Sequence, residues 1–214
     1  MSRIGSVERL NSAASAINLQ LLDNLERNLL KKHLVLAVAA AVTMFAAFAP
    51  GLAGAAVTPT GVTDTISIQE SKGALKFVAP ESVKVGDELE IVNETDPKKV
   101  GPHTFSLVTK GSLPKTPKAR KSCFTPKHIC MSIAKWHGFQ PKTEKITINP
   151  VKVGPEGWSS LGSTSAKGDS WFTEKKNDSI SQLVTADPAT TPTIYFMCAV
   201  HPWMQGSVKV LPAG

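Results

Sequence analysis

Near the end of the chain, Cys198, His201 and Met204 set a thiol, an imidazole and a thioether within seven residues, in the stretch YFMCAVHPWMQGSVKV (residues 195–210). Taken singly, each has an ordinary reading. A free cysteine is a small buried hydrophobe, a methionine fills core gaps, and an inward histidine is usually hydrogen-bonded in place. Together they are soft or borderline donors converging on a point. One more imidazole completes a trigonal His₂Cys set with a weak axial methionine, a pattern suited to copper and single-electron transfer. His103 supplies that imidazole, with Pro102 stiffening its approach. Zinc is the rival metal, but it favours closed tetrahedral sets and rarely takes a thioether. A binuclear copper centre would need a second cysteine in the loop, and the loop has one.

The flanking residues must position these groups. Side chains alternate across a strand, so Ile194, Phe196 and Cys198 share a face that points into a core. His103, Phe105 and Leu107 share another. Pro202 restrains the loop after Cys198, and Gly206 is expected to let the chain turn back into a last strand with Val208 and Val210. The same alternation puts Ile66 and Ile68 on one face, then Leu75, Phe77 and Ala79, then Leu89 and Ile91, and later Ile146 and Ile148. Short strands separated by Gly, Pro and Asp clusters predict an all-β antiparallel sandwich or barrel. Two stretches break the rhythm and read as excursions from it. Residues 110–142 are rich in Lys and Pro and can form a short helix over 128–137. Residues 154–187 are rich in Gly, Ser and Thr, with Trp158 and Trp171 as anchors.

The run Cys198-Ala199-Val200-His201-Pro202-Trp203-Met204, with Tyr195-Phe196 before it, resembles the ligand loop of the cupredoxins, the type 1 blue copper proteins. Its two-residue gap between His201 and Met204 is closer to amicyanin than to plastocyanin or azurin. Asn93, followed ten residues later by His103, is similar to the matching half of that site. The resemblance covers roughly residues 64–210 and implies a Greek-key sandwich of about eight strands with copper at one end. It implies His103, Cys198, His201 and Met204 as ligands, with His201 reaching the surface through an apolar patch rimmed by Pro202 and Trp203. It further implies a carrier of single electrons between redox protein partners, not an enzyme. The chain departs from minimal cupredoxins in the 94 residues between His103 and Cys198.

Asn93 shares its face with Leu89 and Ile91, and a buried amide needs partners. It is expected to tie the His103 segment to the one bearing Cys198, unless it is an ordinary strand-end asparagine. Cys123 and Cys130 are then left to pair as a disulfide in an exported chain. The alternative is a second metal site with His128, Met131 and His137. Two other function classes stand beside the carrier: a copper delivery protein without redox cycling, and a recognition module whose site is structural.

Residues 34–57 carry no charge, follow Lys31-Lys32 and end in small residues. They read as a secretory signal or as a retained membrane segment. The chain is expected to be exported, to a periplasm or the extracellular space, with a cupredoxin-like domain over 56–214. That part holds 19 Lys and Arg against 14 Asp and Glu, a net charge near +5. Between Asp96 and Glu144 there are ten basic residues and no acidic one, a docking face for an acidic partner or else a solvated loop. Nothing in the sequence points to nucleic acid.

Overall fold

A computed structural model describes residues 57–143, 145–146, 154 and 157–214. The expected leader and residues 147–148 lie outside the described residues. Among those described, no helix is long and apolar enough to cross a membrane.

The period-two runs form strands: β1 (Thr63–Ser71), β2 (Ala74–Val78), β3 (Ser82–Lys84), β4 (Glu88–Asn93) and β5 (His103–Val108), then β6 (Phe139–Gln140), β7 (Lys145–Ile146), β8 (Ser170–Thr173), β9 (Asp178–Leu183), β10 (Thr193–Met197) and β11 (Gln205–Leu211). One sheet has the order β2-β1-β4-β9 and the other β3-β11-β10-β5-β8, with β6 and β7 as a separate pair. Connections cross between the two sheets from β2 to β3, from β3 to β4, from β4 to β5, from β8 to β9 and from β9 to β10. This is an all-β sandwich of the Greek-key kind. The two sheets hold nine strands where about eight are expected, because one run is divided. β2 and β3 are separated only by Ala79-Pro80-Glu81, and the chain changes sheets where Pro80 has no N–H to give a ladder. Ala79 lies in that crossing and is exposed, unlike Leu75 and Phe77, which pack against the core.

Ile66, Ile68, Leu89, Ile91, Phe105, Leu107, Ile194, Phe196, Val208 and Val210 form the interlayer core. Gly206 serves that core and not the turn: it lies inside β11 opposite Phe196, whose ring would meet a Cβ there at 2.4 Å.

The two irregular stretches differ. Residues 154–187 are not an excursion: they provide β8 and β9, an edge strand for each sheet. β8 is too short at four residues to show an alternation, and β9 is half-exposed and mostly polar. Trp158 and Trp171 are buried in the main core, as anchors should be. The first stretch leaves the sheets but packs back on them. It carries a helix over Pro117–Lys121 and a second over Ile129–Trp136, joined by a Cys123–Cys130 disulfide. Ile129, Cys130, Ile133 and Trp136 lie on one face of the second helix. They form a second core with Val108, Met197 and Ala199, on the outer face of β5 and β10. All six residues of β5 are therefore buried.

Candidate metal centre

β5 and β10 are antiparallel neighbours, with Met197 opposite Ser106, so the end of β10 meets the beginning of β5. That register brings Cys198 beside His103 across 95 positions of sequence. The loop after Cys198 closes on itself: the Met204 amide donates to the His201 carbonyl at 2.8 Å, and the Cys198 amide donates to the Met204 carbonyl at 3.0 Å. His103, Cys198, His201 and Met204 are all buried, and Met204 belongs to the same core cluster as Cys198.

His103, Cys198 and His201 each offer one ligand atom, and the three lie within 4.8 Å of one another. The Cys198 sulfur is 3.9 Å from His103 Nδ1 and 3.6 Å from His201 Nδ1. Metal–nitrogen bonds of about 2.0–2.1 Å and a metal–sulfur bond of about 2.3 Å place N and S about 3.6–3.8 Å apart for angles between tetrahedral and trigonal. The sulfur therefore stands near the spacing a single ion requires from each imidazole nitrogen, and binding would draw the two imidazoles together.

Hydrogen bonds settle which nitrogens are free. The Asn93 amide is oriented by two backbone groups: Nδ2 donates to the Lys175 carbonyl at 2.8 Å, and Oδ1 accepts the Thr95 N–H at 3.2 Å. The Thr95 hydroxyl must then donate to Asn93 Oδ1, at 2.7 Å, leaving its oxygen to accept from His103 Nε2 at 2.9 Å. His103 thus carries its proton on Nε2 and turns the Nδ1 lone pair to Cys198. On His201, Nε2 donates to the Val100 carbonyl at 2.9 Å, with the same result. Such outer partners fix tautomer and ring orientation in metal sites.

A short helix places Val100. It runs over Pro97–Val100, capped by the Asp96 side chain on the Lys98 amide and ended by Gly101 at φ 83°. Gly101 turns the chain beside the His201 ring, where a Cβ would lie 4.0 Å away.

Electrostatics hold the imidazoles neutral. Burial, with the neighbouring His201 adding to it, pushes His103 down to about 4. Burial also lowers His201, against the Val100 carbonyl. Burial pushes the Cys198 thiol up, opposed by the amides of Thr104, His201 and Val200 and by the Thr104 hydroxyl. The Thr104 amide donates to the sulfur at 3.3 Å, and the Ala199 amide donates to Thr104 Oγ1 at 2.8 Å. A cation would take the place of the thiol proton. No carboxylate joins the set, and two nitrogens with a sulfur suit copper over the harder metals. The sandwich and this site are cupredoxin-like.

Two expectations change. Asn93 ties the His103 side to the loop between β8 and β9, through Lys175, and not to the Cys198 segment. Thr104 makes that second join. The rim is also covered: His201 is 8 % exposed and Pro202 is buried, while Trp203 is 52 % exposed with its ring centroid 5.2 Å from that of His201. Sequence reasoning missed Thr95, Val100 and Thr104, whose roles depend on backbone geometry that no spacing announces. With Cys123 and Cys130 bonded to each other, they cannot ligate a metal with His128 and His137. His128 is exposed and His137 is buried.

No protein-family model and no curated protein matches the sequence. Among solved structures, auracyanin B is similar at 16% identity and a TM-score of 0.36, over 74% of this chain and 96% of that one. A likeness of that strength carries no functional weight.

Proposed function

We propose that the chain is an exported type 1 copper protein that carries single electrons between redox protein partners, and is not an enzyme. His103, Cys198 and His201 would hold the ion, with Met204 as a weak fourth ligand. Copper bound there supplies a one-electron couple. The observation that carries this reading is the pair of Nδ1 lone pairs turned on one buried thiol, each fixed by the hydrogen bond that the same ring's Nε2–H donates. The protein's part is to hold three donors still: little needs to move when an electron arrives, because β5, β10 and the closed loop fix their positions. A delivery role is less well supported, since both histidines and the thiol are buried and offer no exposed ligand for an acceptor.

Adding Cu(II) to the purified domain is expected to give an intense visible absorption band and the EPR signal of a copper–thiolate site. Cys198→Ser removes the band. A colourless copper-loaded protein, or a band that survives Cys198→Ser, would exclude the assignment.

A further inference from the structure

β11 begins at Gln205, directly after Met204, and the Gln205 backbone lies opposite Met197 of β10. Val208 and Val210 face the main core, so by strand parity Gln205 faces the other way, to the outer side where Met197 meets the insert. The insert enters that side through Leu113, which packs on the second core, and Pro114, which is buried. The Gln205 side-chain nitrogen has two protons to give. Both go to proline carbonyls, one to Pro202 at 2.6 Å and one to Pro114 at 3.0 Å. The Pro114 carbonyl also accepts Arg120 Nε at 3.1 Å, from the first helix of the insert.

Pro202 sits inside the turn that carries two of the candidate ligands. The Met204 amide donates to the His201 carbonyl, so residues 201–204 form a β-turn with Pro202 and Trp203 at its centre. Proline suits the second position of a type I or type II turn. Type II needs a positive φ at the third position. Trp203 is not among the non-glycine residues that have one, which leaves type I. The turn's own hydrogen bond joins its two ends and does not involve the central peptide between Pro202 and Trp203. The pyrrolidine ring fixes φ of Pro202, but ψ of Pro202 and φ of Trp203 stay soft, and rotating them tilts the Pro202 carbonyl. Gln205 holds that carbonyl. Its grip bears on the site because His201 and Met204 are the two ends of the turn and the Trp203 ring lies against His201.

We propose that Gln205 is a positioning residue of the copper centre: it pins the central peptide of the ligand turn and braces that turn against the insert. The role rests on the copper reading given above. An electron carrier works fastest when its donors keep their places in both oxidation states. His103 and Cys198 have strands to hold them, whereas His201 and Met204 depend on the turn. Gln205 touches no ligand atom and acts through the Pro202 carbonyl. Its second proton fastens the same turn to Pro114, so the insert steadies the site from outside the sandwich.

The test compares wild type with Gln205→Met, which keeps the length of the side chain and loses both N–H groups. In the metal-free protein, backbone relaxation dispersion reads microsecond-to-millisecond motion. The Trp203 and Met204 amides are expected to be silent in wild type and to show exchange in Gln205→Met. In the copper-loaded protein, one electron passes from a reduced copy to an oxidised one. The rate of this self-exchange is expected to fall about threefold, the weight of one modest hydrogen bond read as a rate. Arg120→Met removes the other donor to Pro114 but leaves Gln205 on Pro202, and it is expected to keep the turn silent and the rate at the wild-type value. Should Gln205→Met fail to fold, Gln205→Asn, whose amide is one methylene too short to hold both carbonyls, shifts both readings in the same direction. If the Gln205 variants lose stability while Trp203 stays silent and self-exchange is unchanged, the side chain only satisfies two carbonyls and the proposal is overturned. It is equally overturned if Arg120→Met reproduces the Gln205→Met effects. A wild-type protein that gives no visible band removes the copper reading, and with it a role in electron transfer, whatever the metal-free spectra show.

Discussion

The two imidazoles of the centre are held by different anchors. His201 Nε2 meets a backbone carbonyl that substitution cannot remove, whereas His103 depends on a hydroxyl. Thr95→Val keeps the shape and loses that oxygen, so His103 is free to turn. Copper affinity is expected to fall about 10–100-fold, the usual cost of losing an outer partner of a metal-bound histidine; competitive titration against a chelator measures it. The low value of His103 also fixes a pH dependence. An unfolded histidine protonates near 6.5, but the folded one resists until about 4. Between these values the unfolded chain binds the extra proton, so the metal-free domain loses stability as pH falls through this window. The penalty is absent above the window and complete below it. One proton corresponds to a slope of at most about 1.4 kcal/mol per pH unit, which denaturant titrations from pH 7 to 4 would read. A flat profile would mean that His103 is not buried neutral.

At the scale of elements, strand parity was legible because it depends only on sequence order. Ile194, Phe196 and Cys198 had to share a face, and so did His103, Phe105 and Leu107. The other face of β5 was not legible. Nothing in the order of residues shows that this face, with Thr104 and Ser106, is buried, because its cover comes from the insert, whose Ile133 and Trp136 pack with Val108, Met197 and Ala199. β8 and β9 escaped notice for another reason: Ser170-Trp171-Phe172-Thr173 is only four residues long with its two aromatics adjacent, and Asp178–Leu183 is a mostly polar, half-exposed edge strand. The insert's own fold rests on few parts, among them a disulfide between residues seven apart. Closing so short a loop contributes about 2–3 kcal/mol. Cys123→Ser with Cys130→Ser is expected to lower the domain's stability by about that amount while leaving the visible copper band, since neither sulfur belongs to the ligand cluster. Loss of the band in the double variant would show that Ala199 needs the insert to hold Cys198 in place.

For the folded unit over 57–214, charge and apolar surface converge on the insert. An apolar hollow of about 430 Å³ is walled by Phe124, Met131 and Phe139 and floored by Pro102, Ala199 and Val200, the neighbours of His103, Cys198 and His201. A second hollow shares Met131 and Phe139 and is edged by Lys135 and Lys142. Among the described residues the only ion pair joins Lys209 to Glu81, so the insert's basic groups are not neutralised by carboxylates there. We infer that an acidic redox protein docks on this face, with an apolar side chain in the hollow, and that electrons enter past Ala199 and Val200. Small redox ions report on the charge part of the idea. Electron exchange with anionic hexacyanoferrate is expected to slow as salt rises, because screening shortens the field to about 10 Å at 0.1 M; Lys135→Glu with Lys142→Glu should slow it several-fold at low salt and flatten the dependence. A cationic hexaammineruthenium couple should show the reverse trend. If the charge reversal leaves both rates unchanged, electrons do not enter by the insert, and the exposed Trp203 beside His201 becomes the entry point instead.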